Sequence, residues 1–337
     1  MLRWLKWFTL LLGWFAVLTA GGLYYYSQQT LTFSPTPVTY DLKLGSNLRI
    51  AARELTAMGV LREPYVFEIL GRVLHAAPYL KAGNYEIESS TTPLKLLQRM
   101  TQGDATQSAI RFIDGWTFKQ VRAALDTHKA LVHETSGLSS EAIARRLGIS
   151  GALPNAVPEG WIFPDTYYFS HGTSDLAVLR RAYRLMQKQL NAQWTARAPN
   201  LPLGSPYEAL ILASIIEKET GKGSDRAMVG SVFINRLRLG MRLQTDPTVI
   251  YGMGEAFDGN LRRRDLQADT MWNTYTRAGL PPTPIAMPGL ASLQAAVNPG
   301  ESKMLYFVAR GDGSSQFSRT LDEHNAAVTK YQKSGNK

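Results

Sequence analysis

Residues 205–221 read SPYEALILASIIEKETG and predict the helix around which the rest of the chain folds. Ser205 is a favourable N-cap, Pro206 suits the first helical position, and Gly221 is a natural stop. Residues 210–216 are apolar except for Ser214, and a helix that is apolar on all sides is typically buried. The sequence therefore predicts that this helix lies in the core.

Glu217 ends the apolar stretch, on the same stripe as Leu210, Ala213 and Ser214. A carboxylate at the end of a buried helix is costly unless it is paired or protonated. Burial raises the pKa of a carboxyl group, and a general acid near neutral pH requires a raised pKa. A structural glutamate paired with an arginine gives the same pattern, and the helix alone favours that simpler interpretation.

Composition narrows the classes of function. The length of 337 residues suggests about two domains, and the net charge of +10 suits nucleic acid, anionic lipid or an acidic polymer as partner. The sequence has no dense basic cluster, zinc finger or glycine-rich phosphate loop, so we expect no nucleic-acid partner. Without cysteine there is no disulfide or thiolate metal site, and the five histidines lack metal-ligand spacing.

The N-terminus, residues 1–27, predicts a cytoplasmic tip and a transmembrane anchor. Arg3 and Lys6 precede an uncharged stretch whose hydrophobic part, residues 8–26, is long enough to cross ~30 Å of hydrocarbon. A cleaved signal peptide is the alternative, but Leu-Thr-Ala at 18–20 is a poor cleavage site. Positive charge before the span places the N-terminus in the cytoplasm and the remainder outside.

The remaining chain predicts a linker and two folded parts of α+β class. Residues 28–37 are typical of an extended linker, and residues 38–90 predict a strand–helix–helix–strand module. That order resembles a LysM-like module of the kind that binds N-acetylated sugar polymers, and a purely structural platform is the alternative. Residues 91–333 predict a larger α+β catalytic domain.

The segment PEGWIFPDTYYF at 158–169 predicts a functional loop rather than a regular element, because prolines, a glycine and five aromatic residues surround two carboxylates. The rings of Trp161 and Tyr167 are candidates to stack on sugar rings, and Glu159 is a candidate polar contact. Packing of these rings against the core is the alternative.

Four further segments carry a family resemblance: IIEKETG at 215–221, VFINRLRLGMRLQTDPTVIYG at 232–252, WNTYTRAGLPPTPI at 272–285 and YFVARGDGSSQFSRTLDEHN at 306–325. With the loop at 158–169, they closely resemble the endolytic murein transglycosylase (YceG-like) family over nearly the whole chain after the span. The resemblance implies a protein anchored in the cell inner membrane by a single span, with a periplasmic domain that cleaves peptidoglycan glycan strands.

By the same resemblance, Glu217 matches the catalytic glutamate. Helical geometry does not choose it over Glu219, which lies on nearly the opposite side of the helix. The family chemistry uses one glutamate as acid and then as base, with no metal or organic cofactor, and leaves 1,6-anhydro-muramyl ends. Candidates to hold the sugar are Gln244, Asn235 and Tyr275, although structural roles for Asn235 and Tyr275 fit equally well.

The resemblance also implies that the enzyme limits nascent strand length and that peptidoglycan synthases are candidate partners. The chain departs from the family pattern at Thr283 and at residues 286–287, which leaves the shape of that loop open. Two other functions fit the residues. One is a lysozyme-like hydrolase with Asp246 or Asp165 as the second carboxylate. The other is a non-catalytic peptidoglycan-binding scaffold in which Glu217 is buried in an ion pair.

The charge pattern at the N-terminus gives a first testable prediction. Of two reporter enzymes fused after Lys337, only the one that requires export from the cytoplasm should be active. The reason is that positive charge before a span keeps the N-terminus in the cytoplasm and places the rest of the chain outside. The measurement compares a periplasm-active and a cytoplasm-active reporter at the same position. Recovery of a soluble mature form that begins near Gly21 would contradict the anchor.

Overall fold

The computed structural model describes residues 2–34, 36–43, 45–103, 107–149 and 157–333. The secondary structure is mixed, with 51% helix and 10% strand, which confirms the predicted α+β class. The chain divides into two compact units, and each is described by itself. The first comprises residues 1–109 and 168–173, and the second comprises residues 110–167 and 174–337.

The first unit is built from helices and one antiparallel strand pair: α1 (Leu2–Gln28), β1 (Val38–Leu42), α2 (Leu48–Ala57), α3 (Pro64–Val73), β2 (Gly83–Ile87) and α4 (Pro93–Gln102). The predicted order of strand, helix, helix and strand is confirmed. Strand β1 pairs with β2, with Tyr40 opposite Tyr85, and both rings are buried. The predicted domain boundary after residue 90 stays a prediction, but this compact unit extends to Ala109.

Helix α1 exposes its apolar side chains. Trp14, Phe15 and Leu18 are 66–68% exposed, whereas an apolar helix in a water-soluble domain would bury one face. Within the described part of the chain, the segment Leu10–Gln28 is the one helix that is long and apolar enough to cross a membrane. It overlaps the predicted span at 8–26.

The second unit holds most of the remaining elements: α5 (Phe118–Asp126), β4 (Leu131–Val132), α6 (Ser140–Leu147), α7 (Asp175–Thr195), α8 (Pro206–Glu219), α9 (Arg226–Arg238), α10 (Asp246–Met253), α11 (Arg263–Gln267), α12 (Leu290–Val297), β7 (Tyr306–Ala309), β8 (Ser315–Ser318) and α13 (Leu321–Val328). The division between the units falls within β6 (Thr173–Ser174). Strands β3 (Gln107–Arg111) and β5 (Thr166–Ser170) pair, and the division between units falls within both. Strands β7 and β8 pair as an antiparallel hairpin, with Phe307 opposite Phe317.

Helix α8 is the centre of the second unit, as predicted. The Ser205 hydroxyl caps it by accepting a hydrogen bond of 3.2 Å from the Glu208 N–H, and residues 209–216 are all buried. Helices α7, α9, α10 and α12 pack around it. The helix ends at Glu219 with Thr220 as its extended C-cap, so the predicted stop, Gly221, lies directly after the cap. The Thr220 hydroxyl donates a hydrogen bond to the Ile216 carbonyl.

The prediction of an irregular loop across 158–169 is correct only for its first part. Residues 166–170 form strand β5, in which alternate side chains are buried. This alternation is typical of a strand with one face against a core, and it places Tyr167 on the buried face.

Close packing of α9 on α12 depends on Gly230. A β-carbon at this position would lie 2.5 Å from the carbonyl oxygen of Ala295, a backbone atom that cannot move aside alone. We predict that Gly230→Ala lowers the free energy of unfolding by roughly 1–3 kcal/mol, because the two helices must separate. Denaturant or thermal unfolding of the full chain in detergent measures the change.

Gly223→Ala is the matched control, because nothing lies within 4 Å of a β-carbon at that position. Its effect should stay within about 0.5 kcal/mol. Equal losses of stability for the two variants would contradict a specific contact between α9 and α12.

Candidate active site

Glu217 lies in the last turn of α8, and its side chain is only 7% exposed. One carboxylate oxygen, Oε2, accepts a hydrogen bond of 2.9 Å from the backbone N–H of Gly289. The other oxygen, Oε1, lies 3.2 Å from a guanidinium nitrogen of Arg226. Groups from two other parts of the chain therefore hold both oxygens of this glutamate.

Each partner of the ion pair between Glu217 and Arg226 interacts unfavourably with the dipole of its own helix. The C-terminal end of a helix carries partial negative charge, which disfavours a carboxylate in the last turn of α8. Arg226 is the first residue of α9, where the positive end of the helix disfavours a cation. The ion pair offsets both costs. The Nε of Arg226 is buried and has no hydrogen-bond partner among the described residues.

The segment 285–289 ties α8 to the turn at residues 115–116. Its first N–H donates to the buried hydroxyl of Ser214 over 3.0 Å. Met287 exchanges two backbone hydrogen bonds with the turn, of 2.8 and 2.7 Å. These bonds fix the backbone N–H that binds Glu217.

A second carboxylate, Asp114, lies beside Gly289 at the solvent edge of the site. A β-carbon on Gly289 would come within 2.6 Å of Asp114 Oδ1, so the missing side chain makes room for this carboxylate. Partial burial, and after it the negative charge of Glu217, raise the pKa of Asp114. The guanidinium groups of Arg226 and Arg111 oppose that rise.

Glu219 faces a different group of side chains. Its carboxylate accepts a hydrogen bond from the Thr245 hydroxyl, and burial raises its pKa to about 6. Asp246, the residue after Thr245, accepts a hydrogen bond of 2.5 Å from the Tyr275 hydroxyl. Gln244, on the other side of Thr245, is exposed and has a φ of 49°, a left-handed backbone conformation that is uncommon for a non-glycine residue.

Glu159 lies in the wall of a cavity of about 710 Å³ beside α5 and α10. Its carboxylate accepts hydrogen bonds from the Phe118 N–H, over 3.0 Å, and from the Tyr251 hydroxyl, over 3.2 Å. Burial raises the pKa of Glu159 to about 7, although these donors and the positive charge of Lys218 oppose the rise. The cavity wall also includes Trp272, so the cavity combines an aromatic surface with a titratable carboxyl group.

The model of the YceG-like family matches residues 40–330 of the chain. The chain belongs to the YceG-like family. An endolytic murein transglycosylase of Bacillus subtilis is 32% identical over 341 residues, which cover 95% of this chain and 92% of the relative. One from Streptococcus pneumoniae is 25% identical over 94% of this chain, but the match spans only 63% of that longer relative. A solved YceG-like protein of Listeria monocytogenes has a TM-score of 0.57 and 28% identity, covering 86% of this chain and 98% of that structure.

The structure distributes the predicted site residues of this YceG-like chain over three places. Glu217 lies with Gly289 and Arg226. Gln244 and Tyr275 lie on the Glu219 side of α8. There the Gln244 N–H donates a hydrogen bond of 3.1 Å to the carbonyl of Thr274, the residue before Tyr275. Glu159 lies in the cavity wall.

The aromatic residues Trp161 and Tyr167 have structural partners. The Trp161 ring stacks on Tyr207, with centroids 5.8 Å apart, and meets the edge of Tyr183 at 5.7 Å. Tyr167 is 7% exposed, and its hydroxyl donates to the Phe163 carbonyl over 2.7 Å. Trp161 is partly buried, so its stacking on sugar stays a prediction, whereas the burial of Tyr167 favours a structural role for that ring.

Asn235 also has a structural environment. Its amide donates to the carbonyl oxygens of Ser302 and Met304 over 2.9 and 3.1 Å. It lies nine residues after Arg226 on α9, about 13 Å along the helix axis. These contacts join α9 to the chain before β7, so Asn235 is left out of the proposed sugar site.

Three residues of the site were not singled out in the sequence: Asp114, Arg226 and Gly289. One signal for Asp114 was present, because Asp-Gly-Trp at 114–116 recurs as Glu-Gly-Trp at 159–161. The central glycine of each triplet has a φ of 78°. Each triplet is a left-handed turn that presents an acidic side chain, one beside Glu217 and one in the cavity wall.

The unusual residue Thr283 shapes the loop that precedes Gly289. Its hydroxyl accepts a hydrogen bond of 2.9 Å from the Trp272 indole N–H and donates to the Pro284 carbonyl over 3.0 Å. A glycine at this position has no side chain to make either bond. In this chain the loop is therefore tied to the aromatic wall of the cavity.

The raised pKa of Glu159 makes a prediction about stability and pH. Its pKa is about 7 in the folded state against an ordinary value of 4.5, so between these two values the folded state retains a proton that the unfolded state has lost. The stability that this group contributes is complete below pH 4.5 and is lost as the pH rises through about 7. Glu159→Gln removes the titration.

We therefore expect the unfolding midpoint of the unsubstituted chain to fall, relative to that of Glu159→Gln, as the pH rises through neutrality. Thermal unfolding of both full chains at a series of pH values measures the difference. Glu301→Gln, at an exposed position, is the control and should follow the unsubstituted chain at every pH. A constant difference between the Glu159→Gln and unsubstituted midpoints would contradict the prediction.

Proposed function

We propose that this chain is a membrane-anchored endolytic lytic transglycosylase that cleaves the bond between N-acetylmuramic acid and N-acetylglucosamine within peptidoglycan strands. The family membership and the names of its relatives from Bacillus subtilis and Streptococcus pneumoniae support the reaction class. The observation that carries the proposal is the placement of Glu217, the glutamate of the family motif, with both carboxylate oxygens held by fixed donors.

The proposed mechanism needs Glu217 twice. Protonated Glu217 gives its proton to the glycosidic oxygen, and the bond from that oxygen to the muramyl C1 breaks. The carboxylate then takes the proton of the muramyl C6 hydroxyl while the C6 oxygen bonds to C1, which closes the 1,6-anhydro ring. The N–H of Gly289 and the guanidinium of Arg226 are already oriented toward the carboxylate that the first step creates, so their stabilisation requires no reorganisation.

The cavity beside α5 is proposed as part of the glycan-binding surface. Two segments connect the Glu217 site to the cavity. One begins beside Glu217 at residue 114 and reaches the cavity wall at Thr117, and the other runs from the cavity wall at Thr283 to Gly289. A strand bound along this path would meet Glu159 and the aromatic wall away from the cleaved bond. On the other side of α8, Gln244 and Tyr275 remain the candidates to hold sugar amide and hydroxyl groups.

The position in the cell is part of the proposal. The exposed apolar helix α1 supports a single membrane span, and the charges before it favour a cytoplasmic N-terminus and a periplasmic catalytic domain. Residues 38–90 share the strand–helix–helix–strand order of LysM-like modules, which supports a second contact with the glycan. We further propose that cleavage limits nascent strand length, close to peptidoglycan synthases.

A hydrolase remains the second candidate, and Asp114 joins the predicted Asp246 and Asp165 as an alternative for its second carboxylate. Asp246 is bound to Tyr275 on the Glu219 side of α8, whereas Asp114 lies beside Gly289, where the charge of Glu217 raises its pKa. In a hydrolase, Asp114 would activate water or attack the sugar. Mass spectrometry of the products separates the reactions, because hydrolysis leaves reducing ends and the proposed reaction leaves 1,6-anhydro ends.

Substitution of Glu217 tests the assignment. Glu217→Gln keeps the volume and can still accept the Gly289 hydrogen bond, but it can neither give nor take the proton. A general acid–base group contributes roughly 10²–10⁴-fold in rate, and we expect at least that loss of 1,6-anhydro ends from purified strands. The fold should survive, because an amide is cheaper to bury than a charge.

Glu219→Gln is the matched control on the same turn of α8. Glu219 contacts Thr245 instead of Gly289, so we expect a much smaller loss of rate. Its pKa of about 6 would suit a general acid, which makes the comparison decisive. Near-normal activity of Glu217→Gln together with an inactive Glu219→Gln would transfer the catalytic role to Glu219.

A further inference from the structure

The ion pair between Glu217 and Arg226 creates a difficulty for acid catalysis. A general acid must carry a proton before the reaction, but a neighbouring guanidinium favours the ionised form of a carboxyl group. The hydrogen bond from the Gly289 N–H favours the same form. Another group has to favour the proton.

Asp114 carries a negative charge close to this ion pair, since the charges of both Glu217 and Arg226 act on it. When all three side chains are ionised, Glu217, Asp114 and Arg226 together carry one net negative charge. One proton on either carboxylate makes the group neutral. A neutral group is favoured where a bound glycan shields the site from water, because an uncompensated charge is costly to bury.

We propose that Asp114 and Arg226 are positioning residues that set the protonation of Glu217, so that the three side chains hold one proton as a unit. Asp114 favours the proton on Glu217 before cleavage, and Arg226 stabilises the carboxylate that remains after proton transfer. The proton given to the glycosidic oxygen is replaced by the proton of the C6 hydroxyl, so the unit returns to its starting charge. This inference rests on the proposed function.

Gly289 keeps the two carboxylates close. Its N–H binds Glu217, and the space where its side chain would begin is occupied by Asp114 Oδ1, 2.6 Å from an ideal β-carbon. Gly115, the next residue after Asp114, lies against the stem of Glu217, since its β-carbon would be 3.8 Å from Glu217 Cγ. Gly289 therefore leaves the space that Asp114 occupies, whereas Gly115 suits its left-handed φ of 78°.

The other charged groups facing this unit in the described chain are Arg111, Asp165, Lys218 and Glu219. Arg111 and Asp165 act on Asp114 in opposite directions. Lys218 is exposed, and its ammonium group donates to the carbonyl of residue 115 over 3.4 Å. Glu219 is turned toward Thr245 on the other side of α8. The unit therefore consists of the acid Glu217, the cation Arg226 that stabilises its carboxylate, and the like charge of Asp114.

The test is the pH dependence of 1,6-anhydro end formation by the full chain in detergent on purified glycan strands. Asp114→Asn removes the like charge, so Glu217 loses its proton more readily. The alkaline limb of the rate profile should move to lower pH by roughly 0.5 unit, a small shift because Asp114 is at the solvent edge. Arg226→Gln should move the same limb to higher pH, by about 1 unit.

Opposite shifts of the alkaline limb in Asp114→Asn and Arg226→Gln would indicate an effect of charge. A loss of packing would lower the rate of either variant without moving the two limbs in opposite directions. Gly289→Ala pushes the Asp114 carboxylate aside and should move the limb in the direction of Asp114→Asn. Arg226→Lys keeps the charge and should restore most of the shift of Arg226→Gln. Asp258→Asn removes an exposed carboxylate paired with Arg262 and should leave the limb in place.

An unmoved limb in Asp114→Asn, with Glu217→Gln inactive, would overturn this inference and leave the proposed function intact. The inference would also fall if Asp114→Asn produced no 1,6-anhydro ends at any pH, because Asp114 would then act in the chemistry directly. Full activity of Glu217→Gln would instead overturn the proposed function itself.

Discussion

The second unit depends on one electrostatic constraint, a carboxylate at the negative end of a buried helix. Helix α8 is buried over residues 209–216 and then brings Glu217 to the edge of the core. Neither burial nor the helix dipole favours a charge there. The backbone N–H of Gly289 and the cation of Arg226 compensate, and both come from segments whose other bonds hold them in place.

Local chemistry explains why much of the fold could be predicted. The Ser205 cap and the buried stretch after it depend on a few neighbouring residues, and the sequence displays all of them. The end of α8 follows the same rule, because Gly221 lies directly after the C-cap residue Thr220.

The site was less predictable because its contacts join distant parts of the chain. Glu217 meets residues that lie 9 and 72 positions later, and its neighbour Asp114 lies about a hundred positions earlier. No periodicity connects them. The aromatic loop left two interpretations open for a related reason: Trp161 stacks on Tyr207, at the start of α8, and a ring that suits a sugar also suits the core.

Three carboxyl groups in this unit show that a raised pKa alone does not single out a candidate for the general acid. Glu159 has a helix N-terminus and a phenol as donors, and Glu219 has one hydroxyl; burial raises the pKa of each. A proton held by such groups is stable. In the described part of the chain neither carboxylate forms an ion pair, and Lys218 and Arg236 act on Glu159 and Glu219 only as more distant positive charges. Glu217 has an ion-paired cation in Arg226, together with a like charge in Asp114. A residue that must serve first as acid and then as base requires both influences, and among these three carboxyl groups Glu217 is where they meet.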